Sequence, residues 1–210
     1  MSAMDSTFWL SVVQSATEFL PVSSSGHLIL MEKFGFSNQT LLMDIALHLG
    51  TLLAVCAFFA KDIKRLFLGF WHRGTEQKID FSIIIATIPA LIVGYFLNDI
   101  IETTLRSPII IAFNSIFFGI LLWAVDFYAP KTKTINQMTY LNALYIGIAQ
   151  SLALIPGTSR SGITMTCARF LGYTRVESAR YSMLMSIPVI ALGAAYMFWE
   201  GAQEGTLTGE

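Results

Sequence analysis

The chain has little charge and almost no cysteine. Asp, Glu, Lys and Arg make up 13% of its 210 residues, about half of the ~25% typical of soluble domains. Its two cysteines, Cys56 and Cys167, lie in apolar segments without metal-ligand spacing, which indicates packing residues and gives a disulfide little support. The N-terminus lacks the basic segment, short apolar core and cleavage site of a removable signal peptide. The low charge disfavours a soluble globular fold.

Long hydrophobic runs take the place of the missing charge. Hydrophobic residues make up 54% of the chain, and its mean hydropathy is +0.62. Three runs contain no charge at all, namely 81–97, 107–125 and 181–199. Each approaches the ~20 residues that cross a bilayer as a helix. A fourth run, 41–60, resembles them but contains Asp44 and His48. We therefore predict one all-α integral membrane domain, 1–210, with about four full spans.

The few charges are distributed unevenly between these runs. The segment 98–106 contains a single basic residue, and the tail after Trp199 contains none. Cytoplasmic loops of membrane proteins collect Lys and Arg. On this rule three connecting segments are predicted to be cytoplasmic, namely 61–80, 129–139 and 169–180.

Two segments must then enter and leave the membrane on the same side. Residues 140–171 begin and end near segments predicted to be cytoplasmic. The run 41–60 must pass from the outside to the cytoplasmic segment 61–80, so residues 8–34 before it are predicted to enter and leave from the outside. Each segment is interrupted by helix-breaking residues, the first at Pro21 and the second at Pro156-Gly157. We predict two re-entrant helix hairpins. Their opposite orientation is typical of an inverted-topology repeat.

The two interruptions carry related polar sequences. At an offset of 136 residues, five of the thirteen positions from 14 to 26 are identical. The identical pairs are Gln14 and Gln150, Ser15 and Ser151, Ser23 and Ser159, Ser25 and Ser161, and Gly26 and Gly162. Polar groups are costly to bury in apolar surroundings. The pairs therefore predict one composite polar site, in which two helix N-termini would bind an anion near the bilayer midplane.

Charged residues in the two hairpins indicate what this site could bind. Gln14 and Glu18 share a helix face because they are four residues apart. Glu18 could be a general base, a divalent-metal ligand or the structural partner of Arg160. The guanidinium of Arg160 suits a phosphate group. Nearby hydroxyls are expected to donate further hydrogen bonds to the phosphate, namely those of Ser23, Ser24, Ser25, Ser159, Ser161 and Thr164. At least one serine in each cluster should only cap its helix.

A possible nucleophile and base lie close together after Pro21. A serine becomes nucleophilic when a neighbouring base takes its proton, and His27 follows Ser24 by three residues. A single histidine in an apolar segment is often structural, but the nearby serines and Glu18 favour a catalytic role. His48 and Asp44, four residues apart, could contact the residues that bind the ligand without contacting the ligand themselves. The residues thus predict a membrane site for a phosphate-bearing ligand whose other end lies in lipid.

These motifs resemble the bacterial undecaprenyl-diphosphate phosphatase family, also known for bacitracin resistance. The resemblance rests on Gln14-x-x-x-Glu18, on the run from Phe19 to His27, and on the segment from Pro156 to Thr164, and covers essentially the whole chain. It implies hydrolysis of undecaprenyl diphosphate to undecaprenyl phosphate and phosphate, which recycles the lipid carrier of peptidoglycan synthesis. It also implies a bacterial inner-membrane location, with the active site open to the periplasmic face.

The resemblance further implies roles for individual residues. Ser24 corresponds to the family's proposed nucleophile, His27 to its histidine, and Arg160 to its phosphate-binding arginine. Gln14 and Glu18 correspond to its glutamate-rich motif, and a divalent cation, Mg²⁺ or Ca²⁺, is associated with the activity. The first position of that motif is often glutamate and is Gln14 here, which weakens a two-carboxylate metal site. A metal-activated water held by Glu18 stays an alternative to attack by Ser24.

Two other functions stay open at this point. A transporter or flippase of phosphorylated polyprenyl lipids would also use inverted repeats and half-helices at the midplane. Family members continue for about two more spanning helices, so the second repeat is expected to be incomplete and the chain could be an inactive remnant. A serine, histidine and glutamate together favour an enzyme, because a carrier needs no nucleophile. The expected partners are the lipid substrate and the membrane, with a homodimer possible and no nucleic acid.

Overall fold

The structure is a computed structural model that describes residues 3–33, 40–69, 75–105 and 107–204. These ranges form nine α-helices, with single 3₁₀ turns at Ile135–Gln137 and Leu152–Leu154. The helices are α1 (Ala3–Thr17), α2 (Ser24–Lys33), α3 (Leu41–Phe58), α4 (Ala60–Gly69), α5 (Thr75–Thr104), α6 (Pro108–Tyr128), α7 (Tyr140–Ser151), α8 (Arg160–Phe170) and α9 (Arg175–Glu204). The all-α prediction is confirmed.

Three helices are long and apolar enough to cross a membrane, namely α5, α6 and α9. Helices α5 and α9 contain their predicted spans and extend beyond them at both ends, and α6 begins one residue after its predicted start and ends three residues later than predicted. The fourth predicted span, 41–60, ends earlier than expected. Helix α3 stops at Phe58 and meets the same criterion only together with α4, to which it is bent by 75°. The described residues therefore contain three candidate spans, or four if the bent pair is counted as one.

Helix α4 was not expected in the basic segment 61–80. It forms because its apolar residues recur at helical spacing: Ile63 and Leu66 pack against the main hydrophobic core. Lys61 and Lys64 on the other side of this helix are exposed. Residues Ala60–Gly69 thus form an amphipathic helix directly after α3.

Both broken segments form helix hairpins, α1–α2 and α7–α8. In the second hairpin the two ends meet, because the N–H of Lys133 donates to the carbonyl of Gly172 at 3.0 Å. The N–H of Thr174 donates back to the carbonyl of Lys133, also at 3.0 Å. The chain therefore enters and leaves this hairpin at one end of the molecule. The predicted end of the first hairpin, Phe34, lies outside the described residues.

Helix α6 holds the break of the second hairpin. Gly157 has a φ of +91°, a conformation that glycine adopts without steric cost. A Cβ there would lie 2.8 Å from the Cα of Ile111. The carbonyls that the break leaves without helical partners are satisfied by α6: Asn114 Nδ2 donates to Pro156 O at 3.0 Å, and Ser115 Oγ donates to Gly157 O at 3.1 Å. The carbonyls of Pro156 and Gly157 at the break are thus both hydrogen-bonded to α6.

The two halves of the chain interlock. Helix α5 packs on α7, α6 on α8, and α3 on α9, so elements of the first half surround the second hairpin. At the α5–α7 contact the backbones approach closely, since a Cβ on Gly147 would lie 2.5 Å from Ala86 O. Gln150 Nε2 donates to that same carbonyl at 3.2 Å. This packing fixes the second hairpin against the first half.

Ion pairs join the predicted cytoplasmic segments at one end of the molecule. Arg180 at the start of α9 pairs with Asp62 of α4. Asp126 at the end of α6 accepts from Arg169 Nε at 2.8 Å and from Arg175 Nη2 at 2.5 Å. The Arg169 side chain is only 2% exposed. The segments predicted to share one side of the membrane therefore lie together.

Candidate active site

Both hairpins restart their second helix in the same way. Ser23 precedes α2, and its Oγ accepts from the N–H of Gly26 at 3.1 Å. Ser159 precedes α8, and its Oγ accepts from the N–H of Gly162 at 3.1 Å. Each bond is an N-cap, which uses the third N–H of the helix and leaves the first two without a helical partner. The structure thus repeats one capping arrangement at the offset of 136 residues found in the sequence.

The remaining serines of the two clusters also match. Ser23 Oγ and Ser25 Oγ lie 3.2 Å apart, and Ser159 Oγ and Ser161 Oγ lie 3.0 Å apart. Ser161 Oγ also donates to Leu20 O at 2.6 Å. This bond crosses from the second hairpin to the break of the first. The paired serines therefore bring the two breaks together.

Glu18 is the centre of the polar site. Its Oε1 accepts from Arg160 Nη2 at 3.1 Å. Its Oε2 accepts from Ser24 Oγ at 2.8 Å and from Gln14 Nε2 at 3.0 Å. The Glu18 and Arg160 side chains are 6% and 13% exposed, so each charge depends on the other for its neutralisation. Four residues predicted for the site are thus in direct contact, although they come from both hairpins.

This group borders a cavity of about 240 Å³. Its polar wall contains both helix starts together with Glu18 and His48. Its other wall is apolar and comes mainly from α9: Val22, Ala153, Val189, Ile190, Gly193, Ala194 and Met197. The cavity can hold a ligand with an anionic head and an apolar chain.

His27 and Ser24 are hydrogen-bonded to other groups and not to each other. Its Nδ1 lies 2.6 Å from the carbonyl of Ser23, and a carbonyl can only accept, so Nδ1 carries the proton. The His27 ring is exposed, and the residue is not part of the cavity wall. Ser24 donates to Glu18. The spacing of Ser24 and His27 predicted that they share one helix face. The carbonyl of Ser23, one turn before His27, instead binds the histidine ring.

His48 lies closer to the polar site around Glu18 than expected. Its Nδ1 lies 2.8 Å from the backbone carbonyl of Asp44, one helical turn earlier. Because that nitrogen must donate, Nε2 is left for other partners. His48 lines the cavity together with Glu18 and Ser24.

Thr164 lies beneath the site and is not in the cavity wall. Its Oγ1 donates to Arg160 O at 2.8 Å and lies 2.8 Å from Ser182 Oγ. Its hydroxyl is therefore already used inside the protein, and only 1% of the residue is exposed. Ser182 also accepts from Arg160 Nη1 through its carbonyl, at 3.4 Å. One pattern in the sequence could have indicated Ser182, since serines recur at every fourth position through 178, 182 and 186. All three are buried in α9.

The protein offers few ligands for a divalent cation here. Within the described ranges no group of three or more His, Cys, Asp or Glu side chains could hold a metal ion. Glu18 is next to Gln14, whose Oε1 is buried without a hydrogen-bond partner. A carboxylate oxygen of Glu18 and Gln14 Oε1 would hold a cation only together with oxygens of a bound phosphate, as is common for Mg²⁺.

The fold is that of an all-α, multi-pass membrane protein in which two similarly capped helix starts border one cavity. Residues 7–208 match the family described as Bacitracin resistance protein BacA, and the chain belongs to this family. It is similar to an undecaprenyl-diphosphatase of Aliivibrio salmonicida, with 48% identity over 198 residues, 90% of this chain and 74% of that protein.

Two further relatives give the same result. An undecaprenyl-diphosphatase of Saccharophagus degradans is 48% identical over 195 residues, which cover 90% of this chain and 74% of the relative. One of Teredinibacter turnerae is 47% identical over 194 residues, which cover 89% and 74%. The family resemblance seen in the sequence is confirmed, and these relatives are longer than the chain.

Proposed function

We propose that the protein hydrolyses undecaprenyl diphosphate to undecaprenyl phosphate and inorganic phosphate. The main observation is the Ser24 hydroxyl, which lies 2.8 Å from a carboxylate oxygen of Glu18 beside a cavity with one polar and one apolar wall. The names of the relatives support the same substrate. The reaction would recycle the lipid carrier for peptidoglycan synthesis.

In the first step Ser24 Oγ attacks the distal phosphorus and Glu18 accepts the serine proton. The bond between phosphorus and the bridging oxygen breaks. Undecaprenyl phosphate leaves with that electron pair and takes the proton from Glu18. The N–H groups at the starts of α2 and α8, together with Arg160, stabilise the charge that develops on the phosphoryl oxygens.

In the second step water hydrolyses the phosphoserine. Glu18 accepts a proton from the water as the water oxygen bonds to phosphorus. The bond from phosphorus to Ser24 Oγ breaks, and the serine oxygen regains a proton from Glu18. Phosphate leaves, and the starting hydrogen bond between Ser24 and Glu18 forms again.

Glu18 is the base in this proposal because it is the group in contact with Ser24. The catalytic role of His27 stays a prediction, since its Nδ1 is bonded to Ser23 O and its Nε2 is the nitrogen left for a proton transfer. A divalent cation also stays a prediction. Bound by Glu18, Gln14 Oε1 and the phosphates, it would neutralise phosphoryl charge.

The competing function is transport of a phosphorylated lipid without hydrolysis. The contact between Ser24 and Glu18 favours the enzyme, because transport requires anion donors but no activated hydroxyl. Phosphate release from undecaprenyl diphosphate by the detergent-solubilised protein tests this. Ser24→Ala should abolish release, whereas Ser15→Ala, an exposed serine on the same helix pair, should retain it.

A phosphoserine at residue 24, trapped with labelled substrate and located by mass spectrometry, would support the covalent route. Substantial cation-dependent activity in Ser24→Ala would instead support a water nucleophile held by Glu18. An intact wild-type protein that releases no phosphate would contradict the proposed function.

We also propose that the molecule lies in the bacterial inner membrane with its ion-paired end in the cytoplasm. The Lys and Arg residues collected at that end support this orientation, and the first hairpin would then open to the periplasm. In intact cells an impermeant thiol reagent should label Thr104→Cys and not Lys64→Cys, both at exposed positions. The reverse labelling pattern would contradict this orientation.

A further inference from the structure

Thr158 lines the cavity, and its hydroxyl is buried without a hydrogen-bond partner. The residue is 2% exposed, and its Oγ1 is one of a few buried side-chain polar atoms in the described ranges with no partner. Among the residues that carry such atoms, Thr158 is the one that lines the cavity. A buried hydroxyl without a partner is unfavourable. Its position at the cavity suggests that a ligand supplies the partner.

Other hydroxyls around the cavity are already engaged. Ser24 Oγ donates to Glu18, and Ser23 Oγ and Ser25 Oγ are hydrogen-bonded to each other at 3.2 Å. Ser159 Oγ accepts the capping bond from Gly162. Thr158 therefore carries a hydroxyl that can donate to an incoming oxygen without breaking a bond inside the protein. The free N–H groups at the start of α8 lie directly after it in the chain.

The two halves of the chain contribute different parts of the cavity. Ser24 belongs to the first half, at the start of α2, so the phosphorus that it attacks would lie there. Thr158 belongs to the second half, at the start of α8. Six of the seven apolar lining residues also belong to the second half: Ala153, Val189, Ile190, Gly193, Ala194 and Met197. The phosphoryl group attached to the lipid chain must lie next to the apolar wall.

We propose that Thr158 binds the lipid-linked phosphoryl group. The cavity then has a transfer subsite at the start of α2, for the phosphoryl group that is removed, and a retention subsite at the start of α8, for the group that stays on the lipid. This proposal rests on the proposed function. It assigns the two phosphoryl groups of the substrate to different helix starts, which the ion pair between Glu18 and Arg160 does not do by itself.

Binding of two probes to the detergent-solubilised full chain tests the division. Farnesyl phosphate carries the lipid-linked group, and inorganic phosphate resembles the released group. Thr158→Val should weaken farnesyl phosphate binding ~10-fold or more, the effect expected for a lost hydrogen bond to a charged group. Inorganic phosphate binding should change less than about twofold. Thr158→Ser keeps the hydroxyl and should bind both probes like the wild type.

A matched control is available on the same helix. Thr166 Oγ1 donates to Gly162 O at 2.7 Å and the residue is buried outside the cavity wall, so Thr166→Val should bind both probes normally. Thr158→Val should unfold at or above the wild-type temperature without ligand, because it removes an unsatisfied hydroxyl. It should lose most of the stabilisation that farnesyl phosphate gives the wild type.

Three results would overturn the proposal. One is wild-type affinity of Thr158→Val for farnesyl phosphate. Another is an equal loss for inorganic phosphate, which would assign Thr158 to the transfer subsite. The third is a wild-type protein that does not bind farnesyl phosphate. If the wild type binds farnesyl phosphate but hydrolyses no polyprenyl diphosphate, the proposed function fails, and the subsite is judged by binding alone.

Discussion

Replacing Glu18 by Gln should separate the structural and chemical roles of this residue. The change preserves the shape of the side chain but removes the charge that neutralises Arg160 at 3.1 Å. Both side chains are nearly buried, at 6% and 13% exposure. Removing one partner of a buried ion pair costs about 3–5 kcal/mol, because the other charge stays buried alone. We expect a value of about 3 kcal/mol, since the Gln oxygen can still accept a hydrogen bond from the guanidinium.

A second substitution tests whether charge is the reason. Glu18→Gln combined with Arg160→Met removes both charges, and neutral replacement of a whole buried pair is often tolerated. The single variant should unfold ~6–12 °C below the wild type, on the basis of ~2–4 °C per kcal/mol for a chain of this size. The double variant should recover most of that loss. Thermal unfolding in one detergent at one protein concentration measures both shifts.

Activity should not follow stability in this pair of variants. Loss of a general base typically costs ~10²–10⁴-fold, so both variants should release phosphate at least ~100-fold more slowly, even when the double variant is stable. A Glu18→Gln protein as stable as the wild type would contradict the structural role of the ion pair. A Glu18→Gln protein that retains its rate, while His27→Ala loses it, would assign the base to His27.

The spans could be predicted because the hydrocarbon core of a membrane leaves few alternatives. Uncharged runs of nearly 20 residues must be helical there, and α5, α6 and α9 followed from that rule alone. The hairpins followed from Pro21 and Pro156 together with the distribution of basic residues. Helix α4 was missed because its apolar contacts, through Ile63 and Leu66, are few and lie among charges that indicated a loop.

At the site, local bonds were predicted better than distant ones. A helix cap in each serine cluster was predicted, because a cap depends on residues three positions apart, and the structure shows that Ser23 and Ser159 form the caps. The pairing of Glu18 with Arg160 was one of three roles that the sequence left open for Glu18, and the contact between the two hairpins selects it. The direction of the His27 ring could not, since its partner is a backbone carbonyl and not a side chain.

Contacts to backbone carbonyls account for most of what the sequence left hidden. Asn114 and Ser115 donate to carbonyls at the second helix break, and Arg160 donates to the carbonyl of Ser182. Every residue has a carbonyl, so no residue type marks these acceptors in advance. They become visible only when the break exposes them and α6 and α9 pack beside it.

Two glycines allow further tests. Gly157→Ala should lower stability by at least about 2 kcal/mol, because it combines a left-handed conformation with a Cβ 2.8 Å from the Cα of Ile111; an unchanged unfolding temperature would contradict this. Gly193 lines the apolar wall, and a Cβ there meets nothing within 4 Å. Gly193→Leu should therefore occupy space meant for the lipid chain and raise KM for polyprenyl diphosphate, by an estimated ~10-fold for a few lost methylene contacts. Gly119→Leu, in equally open space on the exposed face of α6, should leave KM unchanged. Inorganic pyrophosphate has no chain, so an equal loss of its hydrolysis in Gly193→Leu would mean that the substitution distorts the polar site and does not block the lipid.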